Sequence, residues 1–107
     1  MDRAMLKVEE ASNDSTVELP VGRKLEISLP ENRTAGFKWN LRSSGEPPCA
    51  LVNDHYEPGP SIGQGGKHHW HFRALRAGSA DIELLYRRSW EEGKAARKFT
   101  IHVRVYE

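Results

Sequence analysis

The sequence predicts an all-β sandwich, and three observations lead to that class. Short runs of period-two hydrophobic alternation recur along the 107 residues, turn-forming residues separate them, and no stretch of helical period appears. A strand half-buried against a core shows this alternation, because successive side chains leave the backbone on opposite faces.

A first run at 5–9 is followed by the turn-rich Ala11-Ser12-Asn13-Asp14-Ser15, and a short piece at 16–19 ends at Pro20. After Val21-Gly22, the run 24–29 places Leu25, Ile27 and Leu29 on one face, and Pro30 closes it. In 36–42, Phe37, Trp39 and Leu41 alternate with Lys38, Asn40 and Arg42. Residues 43–48 form a loop and 50–56 a short strand, after which Pro58-Gly59-Pro60 forbids regular pairing, since proline lacks a donor and fixes φ. The run 67–75 sets His68, Trp70, Phe72 and Ala74 against His69, His71 and Arg73. Arg76-Ala77-Gly78-Ser79 turns into 80–88, where Ile82, Leu84 and Tyr86 face inward, and 97–106 carries Phe99, Ile101, Val103 and Val105 on one side. The expectation is therefore an antiparallel β-sandwich of about seven to eight strands.

The chain has the size of one domain, spanning 1–107, and can bury a core without metal or disulfide support. Its 16 basic and 15 acidic residues are dispersed, giving a net charge of +1 and no basic face for phosphate binding, so nucleic acid is not expected as a partner. Cys49 stands alone, which precludes an intrachain disulfide. The charged N-terminus lacks the apolar run of a signal peptide, and no transmembrane stretch occurs. The expected location is cytoplasmic, or periplasmic or secreted if an export signal has been removed; no membrane association is expected, and the chain is expected to be a monomer.

With successive strands antiparallel, alternate loops share a pole. Loops 31–35, 57–66 and 89–96 then lie together and hold Asn32-Arg33-Thr34-Ala35-Gly36, Gly63-Gln64-Gly65-Gly66 and Arg88-Ser89-Trp90-Glu91. Loops on a rigid scaffold are where binding residues concentrate, and one end of this molecule is loaded with them.

These three segments resemble the loop signatures of the chagasin family of cysteine protease inhibitors, and the resemblance covers nearly the whole chain. The family's first loop reads approximately Asn-Pro-Thr-Thr-Gly followed by Tyr or Phe, against Asn32-Arg33-Thr34-Ala35-Gly36-Phe37 here. Its second reads Gly-x-Gly-Gly, matched by 63–66, and its third Arg-Pro-Trp-Glu, against Arg88-Ser89-Trp90-Glu91. Trp70-x-Phe72 and the placing of Tyr86 before Arg88 also agree. Arg33 and Ser89 replace φ-fixing prolines, and Ala35 replaces a hydroxyl-bearing threonine.

The resemblance implies an immunoglobulin-like sandwich that inhibits papain-like proteases reversibly and without a covalent bond. Asn32, Arg33, Thr34, Ala35, Gly36 and Phe37 would enter the active-site cleft, flanked by Gly63, Gln64, Gly65 and Gly66 on one side and by Arg88, Trp90 and Glu91 on the other. Glycines allow close backbone approach to a partner, and Trp90 offers the large aromatic surface typical of interface anchors. Arg88 would contact the partner or brace its loop through a carboxylate such as Glu91. A reading from another class, a non-inhibitory immunoglobulin-like adhesion or assembly module, uses the same sandwich, because fold does not decide function.

The remaining chemistry-bearing residues have simpler readings. Trp39, Trp70, Phe37 and Phe72 fall on inward positions and read as core. His69 and His71 share a strand face, but without a third ligand or carboxylate nearby they make a poor zinc site, so no metal and no cofactor are expected. Cys49 lies at the opposite pole with no signal of a positioned base and reads as inert. Ser61 and Ser89 lack a nucleophile-elbow context, and no catalytic residue is expected; the chain does not read as an enzyme.

Overall fold

The computed structural model describes residues 5–61, 64–88, 90 and 95–107. Within them run eight strands: Met5–Glu9 (β1), Thr16–Pro20 (β2), Lys24–Glu31 (β3), Phe37–Ser44 (β4), Cys49–Glu57 (β5), Gly66–Ala74 (β6), Gly78–Arg88 (β7) and Arg97–Tyr106 (β8). They form two four-stranded sheets, β1-β3-β6-β5 and β2-β8-β7-β4, packed as an immunoglobulin-like sandwich.

The alternation in the sequence is the alternation of burial. Leu25, Ile27, Leu29 and Phe72 of one sheet and Ile82, Leu84 and Ile101 of the other are fully enclosed. Trp39, Trp70, Tyr86, Phe99, Val103 and Val105 complete the same cluster, and Phe37 and Leu41 pack against it from its margin. Phe37 is therefore half-buried rather than central, since it stands at the first residue of β4 where the sandwich opens toward the loops.

The strand pairing differs from the simple antiparallel expectation at the N-terminus. The pairs β3–β6, β5–β6, β4–β7 and β7–β8 are antiparallel. β1 and β2 instead run parallel to β3 and β8, respectively. The cause is a crossing from one sheet to the other over residues 10–15. There Asn13 Oδ1 accepts from the Thr100 amide at 2.9 Å, and the Asp14 amide donates to the Thr100 carbonyl at 2.8 Å. In changing sheets the chain also reverses, so β1 runs along one edge with β3 and β2 returns along the other with β8.

β3 also runs past Pro30 to Glu31 instead of ending at 29. β1 accompanies β3 only as far as Ser28, so Pro30 lies where one flank is open and proline is tolerated. Its carbonyl accepts from Trp39 Nε1 at 2.8 Å, tying the strand end to the core. That extension carries Glu31 into the interior, with consequences for the adjoining turn.

Candidate functional site

The turn between β3 and β4 is a single 3-10 turn, Arg33–Ala35. Asn32 caps it, its side-chain oxygen accepting from the Ala35 amide at 3.2 Å. Side-chain oxygens of Asn suit this role because they satisfy amides with no partner inside the turn. Gly36 ends the turn at φ +86°, a left-handed conformation that a β-carbon opposes. The Asn32 amide donates to the Tyr86 hydroxyl at 2.8 Å, which fastens the turn to β7. Asn32, Arg33 and Thr34 are exposed at its tip, and Ala35, Gly36 and Phe37 are half-buried beneath them.

The other two loops close on this turn. Arg88, the last residue of β7, donates from Nε to the Ala35 carbonyl at 3.1 Å and lays its guanidinium 4.5 Å from the Phe37 ring centre. Phe37 in turn stacks on Tyr86 at 4.9 Å. Trp90 is 67% exposed, yet its indole covers Gly36 so closely that a β-carbon there would overlap ring atoms Cη2 and Cζ3. Gly36 is thus glycine for two reasons, backbone angle and the seat of Trp90.

From the opposite side, a β-carbon on Gly65 would come within 3.4 Å of the Glu31 carbonyl oxygen and 3.7 Å of Asn32 Cα. Gly66 opens β6 opposite Glu31 in the ladder, and Gln64 lies exposed beside it. A shallow crevice of about 320 Å³ is lined by Asn32 of the turn, by Gly65 and Gly66 where β6 begins, and by Tyr86 and Arg97 of the strands that flank the third connection. The segments identified in the sequence therefore converge on one edge. Gly63 and Glu91, also assigned there from sequence, lie outside the described residues.

Sequence reasoning missed the residue on which this edge is rooted. Glu31 is 1% exposed. Its Oε2 accepts from the Trp39 amide at 2.7 Å, and its Oε1 takes Arg33 Nε at 2.8 Å and faces His68 Nδ1 at 3.1 Å. Burial by itself would raise the carboxyl pKa, but the hydrogen bonds from His68, Trp39 and Arg33 outweigh it and lower the value to about 2. Arg33 is held a second time, its guanidinium lying 4.1 Å from the centre of the Tyr56 ring. His68 is buried, stacked on Trp70 at 4.2 Å, and presents Nε2 to Asp54 Oδ2 at 2.6 Å. The only sequence signal was the inward phase of His68, since a lone histidine among core positions requires polar partners.

The histidines on the outer face of the same sheet correct a second expectation. Carboxylates do lie beside them: Glu26 Oε1 is 2.7 Å from His71 Nε2, and Glu57 Oε1 is 2.9 Å from His69 Nε2. Burial works to raise the Glu26 pKa, but hydrogen bonds from His71 and Ser28 bring it below the usual carboxylate range. Among the described residues no group of three or more His, Cys, Asp or Glu is arranged to hold a metal ion. Cys49 is fully buried at the start of β5, far from the loaded edge, and burial pushes its thiol pKa up, the opposite of what a nucleophile needs.

With this geometry in view, residues 18–105 match the family described as chagasin family peptidase inhibitor I42. The chain belongs to the chagasin family. It is similar to chagasin of Trypanosoma cruzi, with 31% identity over 106 residues covering 92% of this chain and 96% of that protein. Similarity to amoebiasin-1 of Entamoeba histolytica is 32% over 102 residues, covering 94% and 99%. The fold matches the crystal structure of a cysteine protease inhibitor from Entamoeba histolytica with a TM-score of 0.86 at 22% identity, over 95% of this chain and 96% of that one. Membership of the chagasin family makes the chain a cysteine protease inhibitor at the level of its family, and not an enzyme.

Proposed function

We propose that the chain inhibits papain-like cysteine proteases by non-covalent occlusion, inserting the β3–β4 turn into the active-site cleft while the β5–β6 and β7–β8 loops grip its sides. One observation carries the reading: Trp90 is seated on Gly36 and Gly65 adjoins Asn32, so three separate connections form a continuous edge around Thr34. Such an edge offers an aromatic anchor, exposed backbone near glycine, and an apex of small side chains. Thr34 brings a hydroxyl to the catalytic end of the cleft, and Ala35 keeps the adjoining position narrow. The edge presents no bond in the extended, unhindered form that a protease cleaves, because its apex is a 3-10 turn closed by the Gly36 amide donating to the Arg33 carbonyl at 2.9 Å. A protease–inhibitor interface buries about 1,600 Å² in total, to which three loops at one pole supply about half.

The test is a titration of papain and a cathepsin with a fluorogenic peptide. Stoichiometric, reversible loss of peptidase activity is expected, with the inhibitor recovered intact by mass spectrometry. Trp90→Ala should raise Ki far more than His69→Ala, which lies on the outer sheet face. Full peptidase activity in the presence of excess folded protein would overturn the proposal.

A further inference from the structure

We propose that Glu31, Arg33 and His68 form a proton-linked clamp that positions the β3–β4 turn, so that the inhibitor holds its target more tightly when His68 is charged. This rests on the occlusion reading above and adds to it a positioning device that acts from behind the inserted turn, through the buried Glu31 and His68.

His68 faces a carboxylate at each ring nitrogen, Glu31 Oε1 at 3.1 Å and Asp54 Oδ2 at 2.6 Å. Imidazolium has two N–H donors and satisfies both; neutral imidazole has one, leaving a lone pair against a carboxylate oxygen. Deprotonation therefore breaks one of the two contacts. The groups facing His68 are Glu31 from β3, Asp54 and the edge of Tyr56 from β5, and Trp70 from its own strand. Arg33 lies beyond Glu31, on the same carboxylate oxygen that His68 contacts. Lys67 and His69, the neighbours of His68 along β6, fall on the alternate side of the strand.

Glu31 in turn holds the turn through Arg33. Arg33 is the first residue of the turn that carries Thr34, and its backbone carbonyl accepts from Gly36. Fixing its side chain to a buried carboxylate and over Tyr56 fixes the turn. The clamp thus supplies rigidity at a position where a proline would supply it covalently.

The same contacts bias the proton equilibrium of His68. Burial works against a charged His68, but its hydrogen bonds to Glu31 and Asp54, and their charges, leave its pKa raised above 6.5. A raised folded pKa means that the stabilisation is complete below the unfolded value and is lost as pH rises through the folded one. Glu31, at about 2, stays charged throughout that range.

The test compares wild type with His68→Gln, reading Ki against papain at pH 5.5 and pH 8.5, so that the protease's own pH profile cancels in the ratio. Loss of one charge-assisted contact predicts that wild type binds about tenfold more tightly at the lower pH and within about twofold at the higher one. In an Arg33→Ala background the His68→Gln difference in Ki should vanish at both pH values, because the link to the turn is gone. A His68→Gln effect that is absent, or equal at both pH values, overturns the clamp. An NMR titration of wild type alone provides the readout independent of protease: the Thr34, Ala35 and Gly36 amides should shift with the His68 imidazole, and amides that stay still while His68 titrates would refute it. Failure to inhibit papain at any pH, with the amides still moving, would instead defeat the occlusion reading and leave the clamp standing.

Discussion

Replacing Gly36 by alanine tests the construction of the edge most directly, because two independent penalties meet at one atom. The backbone there is at φ +86°, where an L-residue is disfavoured by about 1–2 kcal/mol. The new β-carbon would also overlap the Trp90 indole, which must leave its seat. Chemical denaturation followed by circular dichroism should report a stability loss of about 1–2 kcal/mol, the backbone term, since Trp90 is largely exposed and contributes little core burial. Binding should suffer separately. If Trp90 is an anchor of about 2 kcal/mol, unseating it raises Ki by about 30-fold. A double-mutant cycle separates the two effects. In a Trp90→Ala background the methyl group has no indole to displace, so Gly36→Ala should then change Ki by much less, giving a coupling energy of about 1–2 kcal/mol. Strict additivity of the two substitutions on Ki would refute the reasoning, because it would mean that Gly36 does not seat Trp90 in the bound state.

Other outcomes follow from the same contacts. Tyr86→Phe removes the acceptor of the Asn32 amide and should lower stability by about 1 kcal/mol while raising Ki, measured by denaturation and titration. On the acid side Glu31 contributes stability that is complete above its unfolded pKa of 4.5 and is lost as pH falls toward about 2; Glu31→Gln should lower thermal stability at pH 6 and flatten that acid limb. Cys49 should react with a thiol reagent only as fast as the protein unfolds, and rapid labelling under native conditions would contradict its complete burial.

What was legible in the sequence is what a strand encodes locally. The pattern of Leu25, Ile27 and Leu29, and of Trp70 and Phe72, reveals which face is buried, because the two-residue repeat is a property of a single extended backbone. Gly36, Trp90 and Gly65 were identified from short motifs, and antiparallel reversal of successive strands sufficed to bring their loops to one pole. The parallel edge strands were not legible, since a sheet crossing over residues 10–15 leaves the alternation of β1 and β2 unchanged.

Nor was the root of the edge. Read along the chain, Glu31 is a charged residue after Pro30 at the mouth of a loop, with every appearance of a solvated side chain. Its burial depends on Arg33 two residues on, Trp39 across the turn and His68 on a strand 37 positions away. The same holds for Glu26 and Glu57, which meet His71 and His69 only through the registers of β3 and β5 on β6. Sequence by itself determined the faces, the turns and the loaded pole, each fixed by interactions between near neighbours. Tertiary structure alone decided which carboxylate meets which cation, because a buried charge is stable only where groups distant in the chain arrive together to satisfy it.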